Sequence, residues 1–335
     1  MRLSIIDQSP VSAGATAADA LRNSIELARL GDRLGYERYW VAEHHAMEAL
    51  ASPAPEVLLA RVGAETRRIR IGSGGVMLPH YSSLKVTETF RMLHALYPGR
   101  IDLGVGRAPG GTPLETLALR RERLDSPPPD DFVEQLLELR AFLNHDFSAR
   151  HPFSRIKVSP DMPGTPDVWL LGSSPWSAAA AAELGLPYAF AHFIAPEPTR
   201  AAIERYRHAF KASAYLDQPH AIVALGAICA PTDAEAERLS SSARVLRRRV
   251  MFERNLRPIP SVEEALAELA AHGAPEEPTE WPRYLLGSPR TLRSKLTSFA
   301  QALQLEEIMI VTIVHDHQAR LRSYELLAEA FQLKP

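Results

Sequence analysis

The sequence lacks several features that define other classes of protein. Cys229 is its only cysteine, which excludes an intrachain disulfide and a zinc site built from thiolates. The formal net charge is only −2, from 38 basic and 40 acidic residues, so no charge excess favours nucleic acid or an anionic membrane surface. No apolar run approaches the roughly 18 residues of a membrane span, and the first predicted strand begins at Leu3, too early for a signal peptide. We therefore expect a soluble, cytoplasmic protein whose partners are small molecules.

The chain also lacks a linker of Gly/Ser or Pro character and any low-complexity segment. Its 335 residues, 46% of them hydrophobic, are enough to bury a large core, as one barrel-sized domain or as two smaller ones. Since no linker divides the sequence, we expect residues 1–335 to form a single domain.

What the sequence does contain is a regular alternation of strand and helix patterns. Strands are predicted at residues 3–6, 39–42, 69–71, 101–105, 168–171, 188–191, 222–229 and 308–314. Helices are predicted at residues 17–34, 53–64, 83–96, 132–143, 177–184, 199–214, 234–255, 262–272, 289–302 and 318–331. Eight strands with eight principal helices favour a (β/α)8 TIM barrel over an open doubly wound sheet. The chain between the last two strands is longer than one crossover needs, which predicts an insertion at about residues 234–287.

Polar residues cluster where the predicted strands end. In a parallel α/β fold the carboxyl ends of the strands share one edge, which holds the active site. Two adjacent histidines after the second strand can belong to such a site, or they can cap the strand and bond loop carbonyls. The residues expected at this mouth are Asp7, Glu43, His44, His45, Gly72, Ser73, Gly74, Gly75, Gly106, Arg107, Gly172, Ser173, Ser174, His192, His315, Asp316 and His317.

Two of these strand ends have the composition of a ligand cradle. Ser173 and Ser174 precede a helix, where free N–H groups, hydroxyls and the helix dipole favour phosphate, although Ser is also an ordinary N-cap. Arg107 on the neighbouring loop would complete a phosphate clamp. Gly74 and Gly75 predict either a close approach of backbone to a ligand or a tight turn.

Five blocks of the sequence, in the same order along almost the whole chain, resemble the bacterial luciferase-like flavin monooxygenases, and especially their alkanal monooxygenase-like branch. The blocks are residues 40–45 (WVAEHH), 71–81 (IGSGGVMLPHY), 98–107 (PGRIDLGVGR), 170–174 (LLGSS) with 185–187 (GLP), and 315–317 (HDH) with 320–324 (RLRSY). The resemblance implies a (β/α)8 barrel that binds reduced FMN at its mouth and forms a homodimer. It also implies a flavin reductase as partner and addition of one atom of dioxygen to a small organic substrate.

The same resemblance implies roles for individual residues. Gly74–Gly75 matches a non-prolyl cis peptide beneath the flavin ring, next to Val76, and all three are expected to bind the cofactor. Arg107, Ser173 and Ser174 match contacts on the phosphate side. The light-emitting subunit of the family carries a cysteine where this chain has Gly106, a departure that argues against bioluminescence and not against flavin binding.

The resemblance also implies which residues are catalytic. Glu43, His44 and His45 would line the pocket at the reactive edge of the flavin ring. Dioxygen would attack reduced flavin to give a C4a-hydroperoxide, which must be kept from water until it meets the substrate. We expect His44 to govern acid–base chemistry at the peroxide, with Glu43 tuning it and His45 adjacent.

Three other functions are compatible with the same residues. A metal hydrolase would use His315 and His317, with Glu43 or Asp7 as a further ligand, although Asp316 or His317 can equally cap the last helix; we expect no metal. A deazaflavin (F420)-dependent hydride transferase would use the same barrel, as would a flavin-binding protein without catalysis. Residues 273–284 can form a lid or a plain surface loop. Trp169 and Trp176 are packing residues or substrate stackers.

Overall fold

The computed structural model describes residues 1–108, 113–119, 130–253, 257–277 and 280–335. These form nine strands and twelve α-helices. The strands are β1 (Arg2–Asp7), β2 (Arg38–Val41), β3 (Arg70–Met77), β4 (Ile101–Gly106), β5 (Asp167–Gly172), β6 (Tyr188–Ala191), β7 (Ala221–Cys229), β8 (Tyr284–Gly287) and β9 (Glu307–Val311). The helices are α1 (Ala17–Leu34), α2 (Pro55–Glu65), α3 (Ser83–Leu96), α4 (Pro113–Leu119), α5 (Phe132–Asn144), α6 (Pro175–Glu183), α7 (Thr199–Ala209), α8 (Asp233–Leu239), α9 (Ser241–Arg248), α10 (Val262–His272), α11 (Pro289–Ala302) and α12 (His317–Phe331).

Eight of the strands close into a parallel barrel. Strands β1 to β7 pair in chain order, β7 pairs with β9, and β9 pairs with β1 to complete the ring. The predicted (β/α)8 TIM barrel is therefore confirmed. Its closure leaves no barrel strand with a free edge, and all eight carboxyl ends lie at one face.

Strand β8 was not predicted. It pairs in parallel with the outer half of β7, at Gly226–Cys229, whereas β9 pairs with Val223–Gly226 of the same strand. Only four residues long and preceded by a proline-rich, acidic segment, β8 has no pattern that distinguishes it from a loop. It lies with α8, α9 and α10 in the stretch predicted as an insertion.

The insertion also differs from prediction in its first helix. The pattern over residues 234–255 predicted one helix, but the chain forms α8 and α9 with a break at Ser240, then a π-helical turn, Arg249–Glu253. Residues 254–256 lie outside the described part of the chain, as does most of the Gly- and Pro-rich loop predicted before residue 130. Helix α4, within that loop, was not predicted.

Helices with clear capping residues coincide with their predicted bounds. Helix α1 begins with a reciprocal capping box between Thr16 and Asp19 and ends at Gly35, whose φ of +84° is the left-handed conformation that glycine favours. Ser261 and Glu264 cap α10 in the same way. None of the helices in the described ranges is both long and apolar enough to cross a membrane.

Alternation along the strands separates two apolar layers. Leu3, Ile5 and Tyr39 face the helices, whereas Ile6 and Trp40 belong to the cluster that fills the barrel interior. Each strand therefore contributes to both layers, and whether a residue near a strand end can reach the mouth depends on its place in the alternation.

The barrel interior is filled at mid-height by two tryptophans. The rings of Trp40 and Trp169 lie edge to face at 5.3 Å, and the Arg38 guanidinium sits 4.9 Å from the Trp169 ring. Nearer the amino ends of the strands, Arg38 donates to Asp102 at 2.8 Å and to Glu307 at 3.0 Å, and all three side chains are buried. These contacts close the lower half of the barrel as a floor under the mouth.

Candidate active site

A cavity of about 330 Å³ opens above this floor, at the carboxyl ends of the strands. Its volume falls within the range of small-molecule sites. Polar lining comes mainly from the ends of β2, β4 and β5, and the other walls are largely apolar. The polar group comprises Gln8, Glu43, His44, Arg107, Ser173, Ser174 and Ser177, and the apolar side chains include Ile6, Trp40, Met77, Leu171, Trp176, Phe190, Phe193, Ile194 and Met309.

Glu43 follows β2 and is almost completely buried. One of its oxygens, Oε1, accepts the Tyr81 hydroxyl at 2.7 Å and lies 2.8 Å from His45 Nε2. The other, Oε2, accepts the backbone N–H of Met77 at 3.1 Å. The carboxylate thereby ties the end of β2 to the end of β3, and it is oriented by donors on both oxygens.

Tyr81 is the residue at this end that sequence reasoning missed. It lies within the motif of residues 71–81, but nothing in the pattern gave it a role. A short 3₁₀ turn, Leu78–His80, follows β3 and brings the Tyr81 ring back toward Glu43. Burial and the charge of Glu43 raise the pKa of Tyr81, so its hydroxyl stays protonated and donates.

His44 lines the cavity next to Glu43 but is not hydrogen-bonded to it. The residue is partly exposed, whereas its Nδ1 is completely buried and has no hydrogen-bond partner among the described residues. Burial, with a smaller repulsion from His45, lowers the pKa of His44 to about 4. The imidazole is therefore neutral at pH 7. Glu43 was expected to tune His44, but the structure shows no hydrogen bond between these two side chains.

Two residues to which the resemblance gave a catalytic or cofactor-binding role, His45 and Val76, do not line the cavity. His45 lies behind Glu43, with 12% of its side chain exposed. The pairing of β3 with β4 shifts register between Gly74 and Val76, which turns the Val76 side chain into the layer facing the helices. Sequence adjacency could not reveal either outcome, because both depend on side-chain direction.

Gly74 and Gly75 do line the cavity, and the peptide between them is cis, as the resemblance implied. They lie inside β3, which was expected to end at residue 71, so the tight-turn alternative is wrong. A Cβ on Gly74 would meet Ile6 Cδ1 at 2.9 Å, and one on Gly75 would meet the Gly104 carbonyl oxygen at 2.8 Å. Gly75 therefore requires glycine because it faces backbone, whereas the contact at Gly74 is with the movable end of the Ile6 side chain. Bare backbone forms this part of the wall.

Arg107 follows β4, lines the β4–β5 end of the cavity and lies beside Trp176. Its Nη1 donates to Asp130 at 2.9 Å, and its Cζ lies 3.9 Å from the centre of the Trp176 ring. The Arg107 and Asp130 side chains are 41% and 60% exposed, so solvent screens the ion pair. The expected phosphate-side arginine is thus present at the cavity and already has a carboxylate partner.

Ser173 and Ser174 lie at the start of α6 in the same wall. The Ser174 hydroxyl accepts the Ser177 N–H at 3.5 Å, which makes Ser174 the N-cap of the helix. Pro175 occupies the first helical position and has no N–H to offer, which leaves fewer free donors than the sequence suggested. Ser174 therefore both caps α6 and lines the cavity.

The two tryptophans considered from sequence differ in location. Trp169 is buried in the barrel interior and serves packing. Trp176 is 36% exposed, lines the cavity and meets the Phe132 ring edge to face at 5.9 Å. Trp176 is thus the more accessible aromatic surface of the site.

Asp7 and the histidines after β9 do not reach the cavity. Asp7 shares the outward face of β1 with Leu3 and Ile5, and its Oδ1 accepts from Arg320 Nη2 at 2.6 Å. This buried ion pair keeps the pKa of Asp7 low despite the opposing effect of burial. The expectation that Asp7 lies at the mouth is wrong, because alternation directs its side chain toward α12.

The proposed metal ligands are dispersed in the same way. His315 Nε2 lies 3.1 Å from the carbonyl oxygen of Ala13, and His317 Nε2 lies 3.2 Å from Glu26 Oε2. Asp316 caps α12 by accepting the Ala319 N–H at 2.6 Å, which confirms the capping alternative for Asp316. Across the described ranges no three acidic, histidine or cysteine side chains form a group able to hold a metal ion.

His192 after β6 also points away from the cavity. Its Nδ1 lies 2.7 Å from Thr199 Oγ1 and its Nε2 lies 3.1 Å from the Pro282 carbonyl oxygen. Pro282 belongs to residues 273–284, so this segment is attached to the end of β6. Residues 278–279 lie outside the described part, and closure of this segment as a lid stays a prediction.

The fold and the cavity together define a (β/α)8 barrel with a small-molecule site at its mouth, and comparison with known proteins gives its family. The model of the luciferase-like monooxygenase family matches residues 1–304. The chain belongs to this family, as the sequence predicted, and is an oxidoreductase of the monooxygenase class.

Individual relatives cover nearly the whole chain. A luciferase-like monooxygenase of Escherichia coli (strain K12) is 40% identical over 326 residues, covering 96% of this chain and 95% of the relative. An N-acetyl-S-alkylcysteine monooxygenase of Bacillus subtilis (strain 168) is 38% identical over 334 residues, covering 98% of both. The crystal structure of apo-MsnO8 is 51% identical with a TM-score of 0.92, covering 100% of this chain and 99% of that one.

Two more distant solved structures share the fold alone. The oxygenating constituent of 3,6-diketocamphane monooxygenase of Pseudomonas putida, in complex with FMN, is 19% identical with a TM-score of 0.75 and covers 98% of each chain. An F420-dependent secondary alcohol dehydrogenase is 17% identical with a TM-score of 0.69, also over 98% of each chain. The barrel therefore occurs with both kinds of flavin, and the choice between them depends on the residues of the site.

Proposed function

We propose that this protein uses reduced FMN and dioxygen to oxygenate a small organic substrate. The observation that carries the proposal is one cavity with two unlike ends. A cation, hydroxyls and a helix start lie at one end, and a neutral imidazole beside a buried carboxylate lies at the other. FMN has a matching layout, because a ribityl chain separates its charged phosphate from its reactive ring.

The residues of the cavity fit this cofactor. Glycine backbone at Gly74 and Gly75 offers a surface without side chains, and a Cβ on Gly106 would meet nothing within 4 Å, so this wall has room for a flat ring system. Arg107, Ser173 and Ser174 would hold the phosphate. Val76 would contribute backbone only, since its side chain faces the helices.

Reduced FMN would supply the electrons that activate dioxygen. His44, neutral at pH 7, would accept or share a proton at the reacting oxygen. The apolar walls would exclude water from the reacting groups, which limits the unproductive loss of hydrogen peroxide. Glu43 would hold the ends of β2 and β3 in register around the ring.

We further propose a flavin reductase as the source of reduced FMN and a homodimer as the assembled form. Support for the dimer comes from apolar side chains on the outer faces of two neighbouring helices: Val57 of α2 is 70% exposed, and Met92 and Leu96 of α3 are 58% and 61% exposed. Exposed apolar clusters of this kind mark association surfaces. Sedimentation at micromolar concentration tests this, with Leu96→Glu expected to shift the protein to monomer.

Anaerobic titrations test the cofactor. Reduced FMN, reduced riboflavin and a reduced deazaflavin are added separately, and tryptophan fluorescence reports binding. We expect reduced FMN to bind more tightly than riboflavin by at least tenfold, because only FMN carries the phosphate. Binding of the deazaflavin without binding of reduced FMN would instead support hydride transfer.

Incorporation of oxygen tests the reaction. The name of the Bacillus relative suggests S-alkylated cysteine derivatives as the first substrates to try, supplied with reduced FMN and ¹⁸O₂. One labelled atom in the organic product is expected. Product labelled from H₂¹⁸O and not from ¹⁸O₂ would refute monooxygenation.

A further inference from the structure

We propose that His45 and Glu43 form a proton path between the cavity and solvent, with Tyr81 as the residue that positions it. The inference rests on the proposed function and deepens it, because it assigns the source of a proton that oxygenation consumes. His45, which does not line the cavity, thereby gains a role distinct from that of His44.

The need for a proton follows from the atom balance of the reaction. Monooxygenation places one oxygen atom in the substrate and releases the other as water, which takes two electrons and two protons. The electrons come with reduced FMN, but any proton that the cofactor does not carry must enter from solvent. His44 is a poor donor at neutral pH, since its lowered pKa leaves it without the additional proton of an imidazolium.

The geometry supplies a connection in the right direction. Glu43 lines the cavity with a side chain only 1% exposed, and its Oε1 lies 2.8 Å from Nε2 of His45, which does not line the cavity. The His45 side chain is 12% exposed. Two groups within hydrogen-bond distance thus span from the buried cavity wall to solvent.

Among the hydrogen-bond partners that Glu43 has in the described part of the chain, only His45 is suited to carry a proton. The Met77 partner is a backbone N–H, which does not exchange protons with the carboxylate during catalysis. Tyr81 has a raised pKa and keeps its proton. The His45 imidazole, by contrast, has ring nitrogens that can each accept or donate a proton. Tyr81 and Met77 therefore hold the carboxylate in place, and His45 exchanges with it.

The transfer step is balanced. A proton leaves His45 Nε2 and forms an O–H bond on Glu43, and the carboxyl group passes it to the oxygen atom that departs as water. His45 is then reprotonated from solvent. No oxidant or reductant is needed beyond those of the proposed function.

Charged and titratable neighbours surround the outer end of this path. The His80 ring lies 6.0 Å from the His45 ring, edge to face. Glu56 at the start of α2 feels the charges of Glu43, His45 and Lys85, although burial contributes most to its raised pKa. The pH dependence of the path therefore reflects His45 together with Glu43, Glu56, His80, Tyr81 and Lys85.

A pair of substitutions at His45 separates proton transfer from hydrogen bonding. In His45→Gln the amide nitrogen can replace Nε2 as a donor to Glu43, but it does not titrate, whereas His45→Ala removes both functions. We expect both variants to bind reduced FMN as the native protein does and to lose at least tenfold in oxygenation rate. Added imidazole should restore part of the rate in His45→Ala, and the solvent deuterium isotope effect should rise in His45→Gln.

A substitution at Tyr81 tests its positioning role. Tyr81→Phe removes one donor that favours the charged form of the Glu43 carboxylate, so the pH profile of oxygenation should move upward with reduced-FMN affinity retained. Tyr97→Phe is the matched control, because Tyr97 donates to the Ala60 carbonyl at 2.7 Å and has no hydrogen bond to Glu43. Its pH profile should match that of the native protein.

The outcomes distinguish this inference from the proposed function. A His45→Gln variant that oxygenates at the native rate, with an unchanged solvent isotope effect, would overturn the path and leave the function standing. A Tyr81→Phe profile identical to the native one would overturn the positioning role. Failure of the native protein to bind reduced FMN and to oxygenate would reject the function, and the path with it.

Discussion

Side chains at the β2–β3 end of the cavity are held differently from those at the β4–β5 end. Glu43 is buried and bonded through both oxygens to Tyr81, His45 and the Met77 backbone. Arg107 is half exposed and held by one carboxylate and one ring. The first arrangement fixes geometry, and the second leaves a cation that can change its partner.

Energetics of the two ends follow from their exposure. An exposed ion pair contributes about 0–1 kcal/mol and weakens with salt, so a phosphate dianion can displace Asp130 from Arg107. Breaking a buried hydrogen bond to a charged group costs about 1.5–3 kcal/mol, so the Glu43 contacts persist. A fixed reactive end and an exchangeable anion end suit a cofactor that arrives and leaves by diffusion.

The largest effect is expected at the fixed end. His44→Ala should lower substrate oxygenation by roughly 10²-fold or more and increase release of hydrogen peroxide, because it removes an acid–base group at the reacting oxygen. Affinity for reduced FMN should change little. Rates of product and peroxide formation at saturating reduced FMN provide the measurement, and full coupled activity in the variant would remove His44 from the reaction.

Acid stability should distinguish the two ends next. Burial lowers the pKa of His44 to about 4, whereas an unfolded imidazole titrates near 6.5. Between these values the unfolded chain binds a proton that the folded chain does not, so stability is complete above about pH 6.5 and falls as the pH drops toward 4. His44→Gln should reduce this loss in the free energy of unfolding by about 2–3 kcal/mol.

Urea unfolding at several pH values measures that loss. Arg107→Gln is the matched control at the exchangeable end, because a guanidinium does not titrate in this range. Its slope of stability against pH should equal that of the native protein. Equal slopes in native protein and His44→Gln would show that this imidazole is not held neutral by burial.

A smaller effect is expected on binding at the exchangeable end. Arg107→Ala should weaken the binding of reduced FMN by about tenfold. This is the lower end of the effect of losing a charge-assisted contact, because solvent screens this site. Riboflavin, without a phosphate, should be nearly indifferent. Equal weakening of both flavins in parallel titrations would assign Arg107 to support of the loop.

The smallest effect is expected from the competing carboxylate. Asp130→Asn should increase the affinity for reduced FMN by about three- to fivefold at low salt, since Arg107 then no longer has to give up an ion pair. Asp131→Asn removes the same charge one residue away and controls for the general field. A matching gain in both variants would mean that the contact itself contributes nothing.

The sequence was sufficient for the barrel because alternation and capping are local. Helix α1 carries its capping box and its terminal Gly35 in the sequence, and its predicted bounds match the structure. Strand β8 has neither signal, since it exists only because β7 extends beyond the barrel and offers it a partner. Pairing of this kind is a tertiary property and is not encoded in four residues.

The candidate site was predictable as a set of strand ends but not as a set of side-chain directions. Glu43, His44, Arg107 and the serines reach the cavity, whereas Asp7 turns outward by alternation. Val76 turns outward because of a shift in strand register that no sequence pattern indicates. Tyr81 was missed because its contact with Glu43 depends on the path of a short turn.

The floor formed by Trp40 and Trp169 closes the cavity at its inner end. These rings and the Arg38 ion pairs below them close the barrel from its amino side, so ligands enter and leave through the mouth. Because the described residues leave the mouth as the entrance to the cavity, the ligand that lies deeper must bind first and leave last. The order in which cofactor and substrate bind is thus imposed by the depth at which each sits, before any difference in their affinities is considered.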